Sequence, residues 1–142
     1  MILADVNVLV YAFRSDSVRH DAYRTWLIDA MRGSSAYGVS PQVLAGVVRI
    51  CTNPGIFAVP SPLDRTLAFC DDVLAPVQAR VVQPGERHWS IFRALCAEAK
   101  ATGNLAQDAW YAALAIEHGC EWISTDHDYA RFPGLRWRPP FE

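Results

Sequence analysis

The sequence predicts an α/β fold with a mainly parallel sheet covered by helices on both faces. Short apolar runs of three to five residues alternate along the chain with longer segments of helical periodicity. Strands that alternate with helices form parallel sheets, because each helix carries the chain back to the same edge. Two of the apolar runs lead into aspartates. Functional sites of such folds gather at the carboxyl ends of the strands, so these acids indicate a site there.

The first half of the chain is predicted to begin with a buried strand and to contain three helices. A serine followed by proline, Ser40–Pro41, is typical of a helix N-cap and first turn. Gly33 closes the preceding helix, and the sequence TNPG at 52–55 breaks the chain. The predicted elements are a strand over 2–4, helices over 6–13 and 19–32, a strand over 36–39 and a helix from Pro41 to about Cys51.

The second half continues the alternation. Ser61–Pro62 repeats the cap signal, and glycines mark the boundaries of the later helices. An apolar side formed by Trp89, Phe92 and neighbouring residues defines the helix between Gly85 and Gly103. The predicted elements are a helix from 62 to about 74, a strand over 79–83, a helix ending at Gly103, a helix over 105–118, a core strand over 121–124 and an edge strand over 135–137.

Length and composition indicate one globular domain spanning residues 1–142. Hydrophobic residues make up 51% of the chain and charged residues 20%, and the net charge of −2 shows no basic excess. The N-terminal apolar run is too short and too polar for a membrane span, and no secretory signal is evident. Four cysteines without a Cys-x-x-Cys pair are expected to be reduced in a cytoplasmic protein.

Three aspartates carry most of the functional information. Asp5 ends the first apolar run, Asp108 lies within an apolar helical pattern, and Asp126 follows the run EWIS, with Asp128 two residues later. A buried carboxylate costs several kcal/mol unless a partner compensates its charge. One hard divalent cation would compensate all of them. The pattern therefore favours a metal-dependent enzyme.

Each aspartate also has a simpler explanation. Asp5 could cap the helix that follows it, and Asp108 could face solvent from the middle of its helix. Asp126 and Asp128 could be turn residues. The metal-site interpretation rests on the occurrence of all these acids together.

Four segments resemble known sequences. The opening DVNVLVYAF, the helix GNLAQDAWYAALAIEHG and the loop ISTDHDYARF resemble PIN-domain nucleases, and VLAGVVRICTNPGIF is similar to a stretch of the VapC toxins of toxin–antitoxin pairs. The resemblance runs from end to end and keeps order and spacing. It implies a PIN-like three-layer α/β/α sandwich and a toxin that acts as a Mg²⁺- or Mn²⁺-dependent endoribonuclease. It also implies an RNA substrate, a cognate VapB-type antitoxin and a homodimer.

The same resemblance implies roles for individual residues. Asp5, Asp108 and Asp126 would be catalytic and would bind the metal, with Asp128 as a neighbouring ligand. Asn7 matches a small polar position that helps to hold the first aspartate or a metal-bound water.

One departure from the family pattern concerns the helix after the second strand. The family places a glutamate there in a pattern like LAEL, whereas this chain has Leu-Ala-Gly-Val with Gly46 at the glutamate position. Gln42, one turn earlier, is a neutral oxygen donor that could partly substitute. The departure leaves open a catalytically weakened module that acts mainly by binding antitoxin or RNA.

Further residues are candidates for supporting roles. Arg49 and Thr52 could contact phosphate or antitoxin, although an arginine near a helix C-terminus is also favoured by the helix dipole. Asn104, one turn before Asp108, could face the same site or be a loop residue. The tryptophans are expected to be mostly core. An apolar groove for an amphipathic antitoxin segment is expected on the helices around 41–52 and 62–74, formed by Val43, Leu44, Val47, Ile50, Leu67 and Phe69.

A different enzyme class, phosphoryl transfer through an aspartyl intermediate, is the rival hypothesis. Hydrolases of that type need a second aspartate two residues after the first, where this chain has Asn7. A receiver domain needs a lysine late in the chain, and Lys100 precedes Asp108. The sequence therefore fits this class poorly.

Overall fold

The computed structural model describes residues 1–142 and contains one five-stranded sheet, in which every pair of neighbouring strands is parallel. The strand order is β3-β2-β1-β4-β5. The strands are β1 (Ile2–Ala4), β2 (Tyr37–Val39), β3 (Ala79–Val81), β4 (Glu121–Ile123) and β5 (Trp137–Arg138). The predicted parallel sheet is confirmed, although β2, β3 and β4 are shorter than the apolar runs that predicted them, and the edge strand lies two residues later than its predicted start.

Six α-helices and one 3₁₀ helix connect the strands, which confirms the α/β class. The helices are α1 (Val6–Phe13), α2 (His20–Arg32), α3 (Pro41–Cys51), α4 (Leu63–Leu74), α5 (His88–Ala99) and α6 (Asn104–Glu117), and the 3₁₀ helix spans His127–Arg131. Helix α1 packs against α2 and α3, α3 packs against α4, and α5 packs against α6.

The strand order creates a crevice beside β1. The chain builds β2 and β3 on one side of β1, and then crosses over to build β4 and β5 on the other side. The connections leaving β1 and β4 therefore diverge at their carboxyl ends, where open α/β sheets bind ligands. Asp5 and Asp126 follow these two strands.

Local chemistry explains most helix ends and corrects two predictions. Ser40 caps α3 by accepting a hydrogen bond from the Val43 amide, at 3.3 Å. Ser61 does not cap α4, because its hydroxyl accepts a hydrogen bond from the Arg14 guanidinium. Gly103 does not end α5 but directly precedes α6. The end of α5 is made instead by Lys100, whose left-handed backbone (φ 51°) terminates the helix after Ala99.

The hydrophobic core corrects two further expectations. Trp122 is fully buried, but Trp89 is 68% exposed, because the buried side of α5 is formed by His88 and Leu95 instead. Three residues of the expected antitoxin groove, Val43, Leu44 and Val47, belong to this core and offer no surface.

The cysteines and the helix lengths can be read directly from the structure. All four cysteines are unpaired thiols, as predicted. None of the helices has both the length and the apolar character that crossing a membrane requires.

Candidate active site

Asp5 is held at the carboxyl end of β1 by hydrogen bonds from both neighbouring elements. Its Oδ1 accepts from the Val6 amide at 2.7 Å, so Asp5 caps α1 as well as facing the site. Its Oδ2 accepts from the Ser124 hydroxyl at 2.6 Å. The side chain is only 7% exposed. A nearly buried carboxylate with two defined donors has a fixed orientation.

Ser124 links the Asp5 side chain to the backbone of Asp126. While its Oγ donates to Asp5, it also accepts from the Asp126 amide at 3.0 Å. Its carbonyl accepts from the Trp137 indole at 3.0 Å, which fastens this segment to β5. Sequence reasoning did not identify Ser124. The available signal was a hydroxyl residue at the end of the apolar run EWIS, directly before the loop at 125–128 that carries Asp126 and Asp128, here called the acidic loop.

Asp108 and the acidic loop meet across the crevice. Asp108 projects from α6, and its Oδ1 accepts from the Tyr129 hydroxyl at 3.3 Å. Asp126 caps the 3₁₀ helix, accepting from the Asp128 amide at 2.9 Å. Oxygens of Asp108, Asp126 and Asp128 all lie within 4.8 Å of one another. Residues from two distant parts of the chain therefore converge as a cation site requires.

Burial and mutual repulsion perturb the two central acids. Burial raises the pKa of Asp5 to about 6, although the hydrogen bonds from Ser124 and Val6 oppose the rise, and the negative charge of Asp126 adds to it. Burial also raises the pKa of Asp108 to about 6, and the charges of Asp126, Asp5 and Asp128 raise it further. The negative charges of neighbouring carboxylates therefore help to raise the pKa of both Asp5 and Asp108. A cation between these acids would offset both the burial and the mutual repulsion.

Asp5, Asp108 and Asp126 line an open cavity of about 440 Å³. The twelve lining residues come from the start of α1, one face of α3, the first half of α6 and the acidic loop: Asp5, Val6, Asn7, Gln42, Ala45, Gly46, Arg49, Ile50, Gln107, Asp108, Tyr111 and Asp126.

The donor set of this cavity fits a hard divalent cation. The acids supply only oxygen atoms, which Mg²⁺ and Mn²⁺ prefer. The side-chain oxygen of Asn7 is buried and has no hydrogen-bond partner, and Asn7 is one of the residues that line the cavity. An unpartnered buried oxygen is costly, and a metal or a metal-bound water would satisfy it.

The remaining candidates are not all at the cavity. Arg49 and Gln42 line it. Thr52 lies at the C-terminal end of α3, where its hydroxyl donates to the Val48 carbonyl at 2.6 Å. Asn104 is exposed in the first turn of α6, away from the cavity lining.

Gly46 is enclosed by a neighbouring side chain. A Cβ added at Gly46 would lie 2.8 Å from a methyl group of Val6, closer than real Cβ atoms approach. Val6 is a β-branched residue next to Asp5 in α1, and its χ1 angle has little freedom. A glutamate at this position would therefore require Val6, or the packing of α1 against α3, to shift.

Comparison with known proteins agrees with this architecture. A family model described as PIN domain matches residues 2–135. The chain is 43% identical over 143 residues to VapC ribonuclease Mb2897 of Mycobacterium bovis, covering 100% of this chain and 97% of the relative. It is 40% identical over 141 residues to Ribonuclease VapC25 of Mycobacterium tuberculosis, covering 99% of each. The chain belongs to the PIN domain family, within the group of VapC ribonucleases.

Solved structures share the fold at lower sequence identity. VapBC2 from Rickettsia felis, bound to a DNA fragment from its promoter, gives a TM-score of 0.72 at 19% identity and 98% coverage of both chains. A toxin–antitoxin complex from Klebsiella pneumoniae gives a TM-score of 0.65 at 20% identity, covering 100% of this chain and 99% of the other. The resemblance to PIN-domain nucleases is confirmed, and this membership gives no support to the aspartyl phosphoryl-transfer hypothesis.

Proposed function

We propose that this chain is the toxin of a type II toxin–antitoxin system and an endoribonuclease that uses Mg²⁺, with Mn²⁺ as a possible substitute. The observation that carries the proposal is that Asp5, Asp108 and Asp126 line one cavity, while oxygens of Asp108, Asp126 and Asp128 lie within 4.8 Å of one another. Full-length relatives named VapC ribonucleases support the reaction class.

The acids divide the work of holding the ion. Asp5, Asp108 and Asp126 would be its catalytic ligands, with Asp128 as a neighbouring ligand. Asn7 would help to hold Asp5 or a metal-bound water. Such an ion supplies a water of lowered pKa and stabilises negative charge on the phosphate. Ser124 keeps Asp5 and the Asp126 backbone in place, and Tyr129 orients Asp108. The ligands are therefore arranged before the ion binds, which lowers the cost of assembling the site.

Cleavage of structured RNA tests the proposal. Purified protein is incubated with tRNA in Mg²⁺, in Mn²⁺ and in EDTA, beside the variants Asp5→Asn and Asp126→Asn. Asp71→Asn is the matched control, because Asp71 is exposed on α4 and lies outside the cavity. We expect metal-dependent cleavage by the wild type and the control only.

The chemistry of the product ends gives a second readout. Attack by water leaves a 5′-phosphate and a 3′-hydroxyl, whereas attack by the ribose 2′-hydroxyl leaves a cyclic phosphate. Cleavage that persists in EDTA, or that leaves cyclic phosphate, would rule out the proposed mechanism.

A catalytically weakened binding module remains the second candidate, because Gly46 cannot supply the family glutamate. In that case the wild type would bind RNA or antitoxin but cleave no RNA with any metal. Cleavage abolished by Asp5→Asn excludes this candidate.

The proposed partner is a VapB-type antitoxin. A groove of about 250 Å³ between α1, α2 and α4 is lined mainly by apolar side chains, among them Phe13, Ile28, Met31 and Phe69. Its apolar lining could receive side chains from the apolar face of an amphipathic helix. The solved relatives described as toxin–antitoxin complexes support a partner of this kind.

Two substitutions on the same helix test this groove. Phe69→Asp places a charge inside it, whereas Leu67 is 45% exposed and lies outside its lining, so Leu67→Asp is the control. We expect co-purification with the antitoxin encoded beside the toxin to be lost only for Phe69→Asp, with thermal unfolding checking that both variants fold. Retained binding by Phe69→Asp would exclude the groove as the docking site.

The proposal extends to assembly and compartment. A homodimer is expected, and sedimentation equilibrium at several concentrations measures it. Four unpaired cysteines fit a reducing compartment such as the cytoplasm, where RNA substrates are present.

A further inference from the structure

The cavity has two walls of different chemistry. One wall carries the carboxylates of Asp5, Asp108 and Asp126, while the wall formed by α3 carries no acid at all. Arg49 on α3 is the only basic residue among the twelve that line the cavity. An anion that enters the site therefore meets one cationic group, which is carried by a different element from the metal-binding acids.

The α3 wall follows from helical spacing. Gln42, Gly46 and Arg49 are separated by four and three residues, which places them on one face of the helix. The acids and Arg49 are thus carried by different secondary-structure elements.

Arg49 is free to bind a ligand. No ion pair or hydrogen bond within the protein engages its guanidinium, although acids lie across the same cavity. The side chain is exposed, and its positive charge reaches Tyr111, which also lines the cavity. Other arginines of the chain, such as Arg14 and Arg138, are held by acids. The donors of Arg49 are available for an anion.

Gly46 leaves open the space between the two walls. It lies one turn before Arg49, and any side chain at this position would require Val6 to shift, because a Cβ would lie 2.8 Å from a Val6 methyl group. The position where the family pattern has a carboxylate therefore presents bare helix backbone, with an amide side chain on one side and a guanidinium on the other.

We propose that Arg49, assisted by Gln42, binds a nonbridging oxygen of the RNA phosphodiester that lies in this cavity. The inference rests on the proposed ribonuclease function and adds a substrate-binding residue to it. A phosphodiester carries two nonbridging oxygens, so one can face the metal ion that the acidic wall would hold and the other can face Arg49. The planar guanidinium suits such an oxygen because it offers several donors in a fixed geometry.

RNA binding without metal separates this inference from catalysis. The affinity of a fluorescein-labelled single-stranded RNA oligonucleotide is measured in EDTA at several salt concentrations for the wild type, Arg49→Gln and Arg49→Lys. Arg93→Gln is the matched control, because Arg93 is an exposed arginine on α5 that makes no ion pair and lies outside the cavity. Thermal unfolding confirms that each variant folds.

The expected result is specific to a phosphate contact. Arg49→Gln should weaken binding about tenfold, and the slope of log affinity against log salt should fall in magnitude by about 0.7, the value for one phosphate contact on a single strand. Arg49→Lys should keep the wild-type slope, because it keeps the charge. The Arg93 control should match the wild type.

Cleavage provides the second readout. With Mg²⁺, Arg49→Gln should lower kcat/KM for the same RNA by at least the factor lost in binding, while Arg49→Lys recovers part of it. An unchanged affinity and salt slope for Arg49→Gln would overturn the inference, even if antitoxin binding were weakened, because Arg49 would then serve the partner. If Arg49→Gln shows the expected losses of affinity and salt slope but the wild type does not cleave RNA, the inference stands and the proposed catalysis fails.

Discussion

Replacing Asp5 by asparagine should change the stability of the metal-free protein in a way that depends on pH. The pKa of Asp5 is 3.8 in an unperturbed peptide and about 6 in the folded protein. A group whose pKa is raised by folding contributes stability that is complete below its unfolded pKa and is lost as the pH rises through its folded pKa. The ionised Asp5 therefore destabilises the metal-free fold above about pH 6, and Asp5→Asn removes this penalty.

The size of the effect follows from the pKa shift. A shift from 3.8 to about 6 corresponds to about 3 kcal/mol when Asp5 is fully ionised. At pH 5 about half of this penalty is already present, so the difference between pH 5 and pH 8 is about 1.4 kcal/mol. Removing the charge also lowers the pKa of Asp108, which acts in the same direction.

Comparing two pH values isolates this electrostatic contribution. The substitution also weakens the hydrogen bonds that Asp5 accepts from Val6 and Ser124. The part of that cost that depends on the ionisation of Asp5 is already contained in its raised pKa, and the rest cancels in the difference. The free energy of unfolding is measured by urea denaturation in EDTA at pH 5 and pH 8. The control Asp71→Asn lies outside the cavity and should show no comparable difference.

The expected result is a relative gain for Asp5→Asn at pH 8 of about 1.4 kcal/mol, or about 0.5–1.4 M in the urea midpoint. Adding Mg²⁺ should reverse the comparison at pH 8, since the ion stabilises the ionised wild type and not the variant. A difference between the two pH values below about 0.3 kcal/mol would refute the conclusion that burial raises the pKa of Asp5.

Three further predictions concern contacts around the site and the core. Ser124→Ala should lower stability by about 1–3 kcal/mol and raise the pKa of Asp5 further, measured by urea unfolding and by NMR titration of the carboxyl carbon, because a buried hydroxyl that serves two partners is lost. Gly46→Ala should destabilise the fold by about 1–3 kcal/mol despite the better helix propensity of alanine, because its Cβ would meet Val6. Adding Val6→Ala should recover part of this loss in a double-mutant cycle. Simple additivity of the two substitutions would show that the close contact is unimportant. Arg14→Gln should cost about 2–4 kcal/mol in calorimetry, because its buried guanidinium stacks on a phenylalanine ring and ties the loop before α4 to α1; a cost under about 0.5 kcal/mol would contradict this.

The acids and the sheet were predictable from sequence because they depend on local patterns. Short apolar runs between helical segments define parallel strands, and an aspartate directly after such a run must lie at the carboxyl end of its strand. This reasoning placed Asp5 and Asp126 at the carboxyl edge of the sheet, and the pairing of β1 with β4 makes them neighbours. Asp108 needed the family resemblance as well, because an acid within a helix more often faces solvent.

The contacts between distant residues were not predictable in this way. Ser124 is an ordinary strand residue in the sequence, and only the pairing of β1 with β4 makes its hydroxyl a bridge between Asp5 and Asp126. Likewise, Trp89 has the right spacing for a buried helix face but is exposed, because α5 packs through His88 and Leu95 instead.

The sequence by itself determined the fold class, the family and the acids, since periodicity, strand-end position and motif order are properties of the chain read in one direction. Only the tertiary structure decided how α3 contributes to the cavity. Val6 packs so closely on Gly46 that a larger residue there would require Val6 to shift, and Arg49 is the one cationic residue that lines the cavity with the acids. Such a relation depends on the distance between two packed helices, which no local pattern of residues encodes.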